Sequence, residues 1–358
     1  MILGIETSCD ETAMALVSRK KLIAHAMASQ DVHSIFGGVV PEIASREHLR
    51  SLGPLLDKVL ADAGAGLDQV EAVAVARGPG LLGSLLVGLS FAKGLAGGLG
   101  KPLVGVNHLH AHLLSPLLHD TIEFPALGLV ISGGHTQTML MRSPVEFELL
   151  GRTLDDAAGE AFDKAAKALN LPYPGGRFID ELGAAAKADE TMFPRPYVDN
   201  DNLDFSFSGL KTAMALHVEA HPELRLGALP GDTLPAETAR REDLAEVCAS
   251  YNKAVADTIR IKVERALSAA GEAGTLVAAG GVAANGMIRK TLAELAAERN
   301  IRLVLPEPWL CTDNGAMIAL AGEILFENGW LHGSDVDAVP RGKEVPWDYR
   351  RRAPQVPA

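Results

Sequence analysis

Cysteine is scarce: Cys9, Cys248 and Cys311 are the only three in 358 residues, and they stand far apart. That odd, unpaired set excludes a disulfide framework and fits a reducing compartment. Aromatic residues make up only 5% of the chain. Positive charge is also short, since 33 Lys and Arg face 45 Asp and Glu, for a formal net charge of −12. So acidic a chain does not advertise a nucleic-acid surface, because phosphate contacts need clustered Lys and Arg. Two small basic clusters, Arg19-Lys20-Lys21 and Arg350-Arg351-Arg352, read singly as solvated surface charge. The N-terminus, MILGIETSCDET, lacks a basic leader region and enters a strand at once, so neither a signal peptide nor a transit peptide is expected. The most apolar stretch, between Arg77 and Lys93, is interrupted by Pro and Gly and reads as too short to span a bilayer. The cytoplasm is the expected compartment.

What the chain does have is glycine, 36 residues of it, much of it in short clusters between apolar runs. Such clusters predict tight strand-to-helix turns. The spacing predicts strands at 2–7, 13–18 and 21–28, a helix at 41–63, a strand at 70–76, a helix to about 98 and a strand at 102–106. The second half repeats that order. Strands are expected at 126–132, 136–142 and 146–152, a long helix at 240–271, a strand at 275–281, a helix at 284–299, a strand at 302–306 and a closing helix at 313–328. The duplicated β-β-β-α-β-α-β-α pattern implies an α/β fold with two mixed sheets covered by helices. The expected division is a first lobe over 1–118, a second over 119–330 with an insertion at about 170–240, and a tail over 331–358. Two such lobes would leave a cleft, where ligands usually bind.

The motifs fall at the turns. In GIETSCDET a polar hairpin is expected to expose Thr7, Ser8, Asp10 and Glu11, as groups for a phosphate or a metal-bound water or as an ordinary β-turn. VISGGHTQTML repeats the device, with Ser132, Gly133, Gly134 and His135 between two strands. Paired glycines there let backbone N–H groups approach an anion. In VAAGGVAAN, Gly280 and Gly281 make room for a nucleotide at a helix N-terminus, with Asn285 near its ribose or base, or they merely pack helix on strand. In NHLHAHLL, Asn107 is an expected N-cap. Helical spacing then places His108 and His112 on one face and points His110 elsewhere. That pair reads as a metal site or as a capped polar helix, and both stay open. Asp313, at the edge of the last helix, is a candidate third ligand. Leu109 stands where a zinc protease carries its catalytic Glu, which argues against proteolysis. Asp155, Asp156, Glu160, Asp163 and Lys164 fall on one helix and read by default as a solvated acidic face.

Taken together, GIETSCDET, ARGPGLLGSLLVG, NHLHAH, SGGHTQ, DDAAGEAFDKAAKALNLPYPGG, FSFSGLKT, GGVAAN and TDNGAMIA resemble the Kae1/TsaD family of tRNA N6-adenosine threonylcarbamoyltransferases. The resemblance covers the chain in order to near residue 330. It implies an actin-like ATPase duplication (the ASKHA class). It also implies a divalent metal on His108, His112 and Asp313, with iron (Fe2+) expected first and Zn2+ or Mg2+ as alternatives. An adenine nucleotide, threonylcarbamoyl-adenylate or ATP/AMP, would be held by Ile131, Ser132, Gly133, Gly134, His135, Asp163, Gly176, Asp180 and Asn285. Asp10 and Glu11 are the candidate catalytic carboxylates. The implied partners are tRNA through its anticodon loop, an inactive TsaB-like paralogue of the same fold, and a small TsaE-like ATPase; no membrane is implied. The helix at 46–63 is the expected paralogue-facing surface. A small-molecule kinase of the same fold is the alternative, but it needs no histidine pair. A non-catalytic scaffold would be expected to lack both that pair and Asn285.

Overall fold

The structure, a computed structural model, describes residues 1–36, 38–227 and 233–352. Residues 228–232 of the expected insertion and 353–358 of the expected tail lie outside the described residues. The chain divides into two compact units, Met1–Thr121 with Thr312–Ala358, and Ile122–Cys311.

The first unit opens with β1 (Ile2–Glu6), β2 (Glu11–Ser18) and β3 (Lys21–Ser29), an antiparallel meander. Helix α1 (Pro41–Ala63), β4 (Ala72–Gly78), α2 (Leu82–Leu99), β5 (Leu103–Asn107) and α3 (His108–Leu114) follow. The sheet order is β3-β2-β1-β4-β5, with β4 parallel to both β1 and β5. β1 and β4 are apolar and buried at nearly every position, as strands covered on both faces must be. Helix α2 is 18 residues long, runs past Lys93, and is apolar enough to cross a membrane by length and composition; the stretch between Arg77 and Lys93 is only partly within it. The helix packs one face, including Leu85, Gly88, Leu89 and Ala92, inside this unit.

The second unit repeats the order with β6 (Ala126–Ile131), β7 (Thr136–Ser143) and β8 (Glu146–Arg152). Then come α4 (Ala158–Leu169), α5 (Gly175–Gly183), α6 (Ser208–Ala220), α7 (Ala236–Ala239) and α8 (Glu242–Ala270). β9 (Thr275–Ala279), α9 (Gly286–Arg299), β10 (Arg302–Val304) and α10 (Pro308–Cys311) complete it. Its sheet runs β10-β9-β6-β7-β8, the same mixed arrangement as the first. The expected insertion belongs to the core of this unit. Phe178, Ile179, Phe193, Phe205, Phe207, Leu210 and Met214 are buried in one cluster with α4 and α8. The many Pro, Gly and Asp residues hide apolar positions too widely spaced to read as a helix period.

The sequence reading places the closing helix in the second lobe, and the structure corrects this. Helix α11 (Gly315–Glu327) packs on β1, β2 and β4 of the first unit. Glycine makes the approach possible. A Cβ on Gly4 would collide with the Ala319 amide nitrogen and lie 2.6 Å from its Cα, and one on Gly315 would meet the carbonyl carbon of Met14 at 2.5 Å. The expected tail is likewise folded in part. β11 (Trp330–Leu331) pairs antiparallel with β12 (Arg350–Arg351), and Arg77, buried beside β5, binds Asp348 at 2.5 Å and His332 at 2.8 Å.

Candidate functional site

In the first unit, β5 ends at Asn107, whose side-chain oxygen accepts from the amides of Leu109 at 2.9 Å and His110 at 3.4 Å. This N-cap starts α3 at His108 and fixes the rotation of its histidines. His108 and His112 stand with ring centroids 4.6 Å apart and planes at 88°. Both turn Nε2 toward the Oδ1 of Asp313, His112 at 3.0 Å and His108 at 3.5 Å. Nitrogen and oxygen atoms from the three side chains lie within 4.8 Å of one another. His110 faces away, its Nε2 at 3.3 Å from the Asn107 amide nitrogen.

A second layer holds this cluster. His108 Nδ1 lies 2.9 Å from Glu6 Oε2 and 3.2 Å from Ser8 Oγ. Glu6, fully buried at the end of β1, also accepts the Ser8 amide at 2.5 Å. A carboxylate on Nδ1 holds the proton on that nitrogen in the neutral ring, which leaves the Nε2 lone pair on the Asp313 side for a metal ion. Burial pulls His108 down, but Glu6 and Asp313 outweigh it and raise the imidazole to about 9. Burial keeps His112 below its ordinary value despite its bond to Asp313. Glu11 is pushed up to about 9, by burial first and then by Asp10 and Asp313. So many carboxylates around one buried point demand a cation there, a proton or a metal ion. Two imidazoles and a carboxylate are a donor set that suits a divalent ion.

The hairpin departs from expectation. Thr7 and Ser8 are buried, not exposed, and Thr7 donates to the Ser84 carbonyl at 3.0 Å. Asp10 and Glu11 are half-buried.

In the second unit, Ile131 ends β6 beside β9, its parallel neighbour. Gly280, at φ +97°, follows β9; a Cβ there would meet the Ile131 carbonyl oxygen at 2.5 Å. The two strand ends therefore carry the SGGH and GGVAAN loops side by side, at the carboxyl edge where open α/β sheets bind ligands. The loop amides are less available than expected. Ser132 N donates to the His135 carbonyl at 2.8 Å, and Ser132 Oγ accepts the amides of Gly134 and His135 at 3.3 and 3.1 Å. Gly133, exposed at the tip, has the amide left to face a ligand.

Around the loops runs a carboxylate and amide network. Asp163 accepts the Gly175 amide at 2.8 Å, and Asp180 accepts that of Gly286 at 2.9 Å. Asn285 caps α9 by accepting the Ile288 amide at 3.0 Å and donates to Asn252 Oδ1 at 2.9 Å. Asp163, Asp180 and Asn285 are thus tied to α5 and α9, and these bonds fix the two helices; Gly176 follows Gly175 in the first turn of α5.

The profile of the family described as TsaD, tRNA N6-adenosine threonylcarbamoyltransferase, matches residues 21–320. The chain belongs to the TsaD family. It is 60% identical over 353 residues to the tRNA N6-adenosine threonylcarbamoyltransferase of Solidesulfovibrio magneticus, covering 98% of this chain and 95% of that one. It is 57% identical over 354 residues to the enzyme of the same name from Nitratidesulfovibrio vulgaris, covering 98% of each chain. A Geobacter relative of the same name is 45% identical over 342 residues, covering 95% of each. Among solved structures it resembles the HypF of T. kodakarensis, with a TM-score of 0.57 at 14% identity over 91% of this chain and 48% of that one. It also resembles component A of the Acidaminococcus fermentans (R)-2-hydroxyglutaryl-CoA dehydratase, with a TM-score of 0.50 at 14% identity over 90% and 96%. These likenesses agree with the actin-like duplication, two mixed five-stranded sheets flanked by helices.

For a TsaD-family chain, sequence reading misses Glu6 and Asn252. Glu6 lies inside the matching stretch GIETSCDET but reads as the last residue of a strand. Asn252 sits in the buried face of α8; the one signal in sequence is a polar residue at an otherwise apolar helical position.

Proposed function

We propose that this chain transfers the threonylcarbamoyl group of threonylcarbamoyl-adenylate to N6 of adenosine 37 in tRNAs that read codons beginning with A, forming t6A. The observation that carries this reading is the buried His108, His112 and Asp313 cluster, braced by Glu6, in a chain of the TsaD family. In the reaction the adenosine N6 attacks the carbamoyl carbon, the bond to the AMP oxygen breaks, and N6 loses a proton. His108, His112 and Asp313 would hold the divalent ion, with iron first and zinc or magnesium as alternatives. When bound, such an ion supplies Lewis-acid charge where the anhydride develops negative charge.

The chain's own residues do the rest. Glu6 and Ser8 hold the His108 ring in its tautomer. The Gly133 amide offers a donor to the adenylate, and the dipole at the α9 N-terminus favours its phosphate. Asp163, Asp180, Gly176, Asn285 and the loop Ile131 to His135 would shape its seat, chiefly by fixing α5 and α9 at Gly175 and Gly286. Asp10 and Glu11, side by side at the edge of the cluster, are the candidates to receive the N6 proton. An inactive TsaB-like paralogue and a TsaE-like ATPase are the proposed partners, and residues 46–63 of α1 are the proposed paralogue-facing surface, with Leu49 71% exposed. The proposed compartment is the cytoplasm, in keeping with a tRNA substrate and three free cysteines.

The test is mass spectrometry of nucleosides from tRNA incubated with threonine, bicarbonate, ATP, the partner enzymes and either wild-type protein or the His108→Ala/His112→Ala variant. Threonylcarbamoyladenosine with the wild type alone is the expected result. Modification with both would leave the transferase reading standing and reduce the histidines to structure. No modification with either would overturn the reading in favour of a kinase, for which phosphoryl acceptors would then be screened.

A further inference from the structure

The two basic clusters stand at opposite ends of the sequence, yet α11 gathers them. In the β2–β3 turn, the backbone amides of Arg19 and Lys20 each donate to the Glu323 carboxylate at 2.7 Å. One helical turn further along α11, Phe326 carries the Arg352 guanidinium 4.9 Å above its ring. Beyond the helix, Arg351 lies 3.9 Å over Trp330, its neighbour across the β11–β12 pair. Arg19, Lys20, Lys21, Arg350, Arg351 and Arg352 are all exposed. Arg350 is paired with Asp335 at 2.6 Å; the other five form no ion pair among the described residues. Glu323 is only 5% exposed, and its carboxylate is spent on the turn; Glu327, Asp335, Asp337 and Asp348 are the exposed acids close in sequence to the convergence, and of these Asp335 and Asp348 are paired with Arg350 and Arg77. Five unpaired cations at one place on a chain of net charge −12 repel one another, and a polyanion relieves that repulsion most effectively.

We infer that this convergence is the surface on which the phosphate backbone of the tRNA docks, an inference that rests on the tRNA-acting reading above. The aromatic rings under Arg351 and Arg352 hold the guanidinium planes in place, which lowers the ordering cost of meeting phosphates. The surface is also suitably placed. Helix α11 has 13 residues and so is roughly 20 Å long. Asp313 stands just before its first turn, and the basic convergence lies at its last. A stem docked at one end can present a loop nucleoside toward the other.

The test uses the full-length protein and an unmodified tRNA transcript. Binding is followed by fluorescence anisotropy over a series of salt concentrations. Transfer from threonylcarbamoyl-adenylate is measured alongside, with the partner proteins, in wild type, Lys20→Ala/Lys21→Ala and Arg351→Ala/Arg352→Ala. Each pair should lower the slope of log affinity against log salt by about two, and raise the KM for tRNA while kcat is kept. Arg351→Ala/Arg352→Ala also strips cover from Trp330 and Phe326, so its unfolding midpoint is checked. Lys20→Ala/Lys21→Ala removes no side-chain hydrogen bond or ion pair among the described residues, so an unchanged slope and KM in that variant, with an active wild type, overturns the docking surface alone. A wild type that neither binds nor modifies tRNA overturns the tRNA reading, and the docking surface with it.

Discussion

Replacing Glu6 by Gln separates charge from shape at the buried cluster. The Glu6 carboxylate takes two donors, the Ser8 amide on one oxygen and His108 on the other. A glutamine has one oxygen and one NH2 group, so one of those donors must lose its acceptor. An unsatisfied buried donor costs about 1–3 kcal/mol. Loss of an outer carboxylate typically weakens ion binding by about 10–100-fold, which is about 1.4–2.7 kcal/mol. The first cost falls on folding; on the second range Glu6→Gln should weaken binding of Zn2+ or Co2+ to the full-length protein by about 10–100-fold. Calorimetric titration near neutral pH reads the affinity, and His108→Ala, which removes a proposed ligand outright, sets the lower reference. A Glu6→Gln affinity within about twofold of wild type, beside a His108→Ala that has lost the ion, would refute the claim that Glu6 orients His108; the criterion is set well below the expected range.

Two further outcomes test the scaffold. Asp348→Asn deprives the buried Arg77 of a charged partner, the Arg77 side chain being 2% and the Asp348 side chain 49% exposed. Breaking a fully buried pair costs about 3–5 kcal/mol, and the half-exposed Asp348 places this one lower, at about 2 kcal/mol; the denaturant midpoint should fall at unchanged m. His48 is buried, with Thr12 Oγ1 at 2.8 Å from Nδ1 and the Cys9 carbonyl at 2.9 Å from Nε2. Burial lowers its pKa, so its contribution to stability is fully present above the unfolded value of about 6.5 and is lost as pH falls toward the folded one. Thermal midpoints should drop between about pH 7 and pH 5, and less steeply in His48→Gln; equal slopes in the two proteins would remove His48 as a cause.

Much of this was legible before any coordinate. Apolar alternation and Gly-rich turns mark the strands and helices of both repeats, because burial on a sheet face imposes period two and on a helix face period 3.6. The i, i+4 spacing of His108 and His112 behind the Asn107 cap predicts one shared face, and α3 has it. The allocation of α11 was not legible. Its apolar sequence would suit either sheet, and only the fit of Gly4 and Gly315 against backbone selects the first. Nor was the cost of Ser132, whose hydroxyl takes two of the loop amides that the glycine pair leads one to expect for a ligand.

The sequence by itself determined the repeated element order, the caps and the residue types of the candidate site, since each is a local consequence of side-chain chemistry and spacing. The tertiary structure brought Asp313, already a candidate ligand, onto His108 and His112, and it alone decided that Glu6 stands behind them and that two distant basic clusters share one end of α11. Those pairings depend on how far apart in sequence two strands or helices are when their faces close, and no local periodicity encodes that distance.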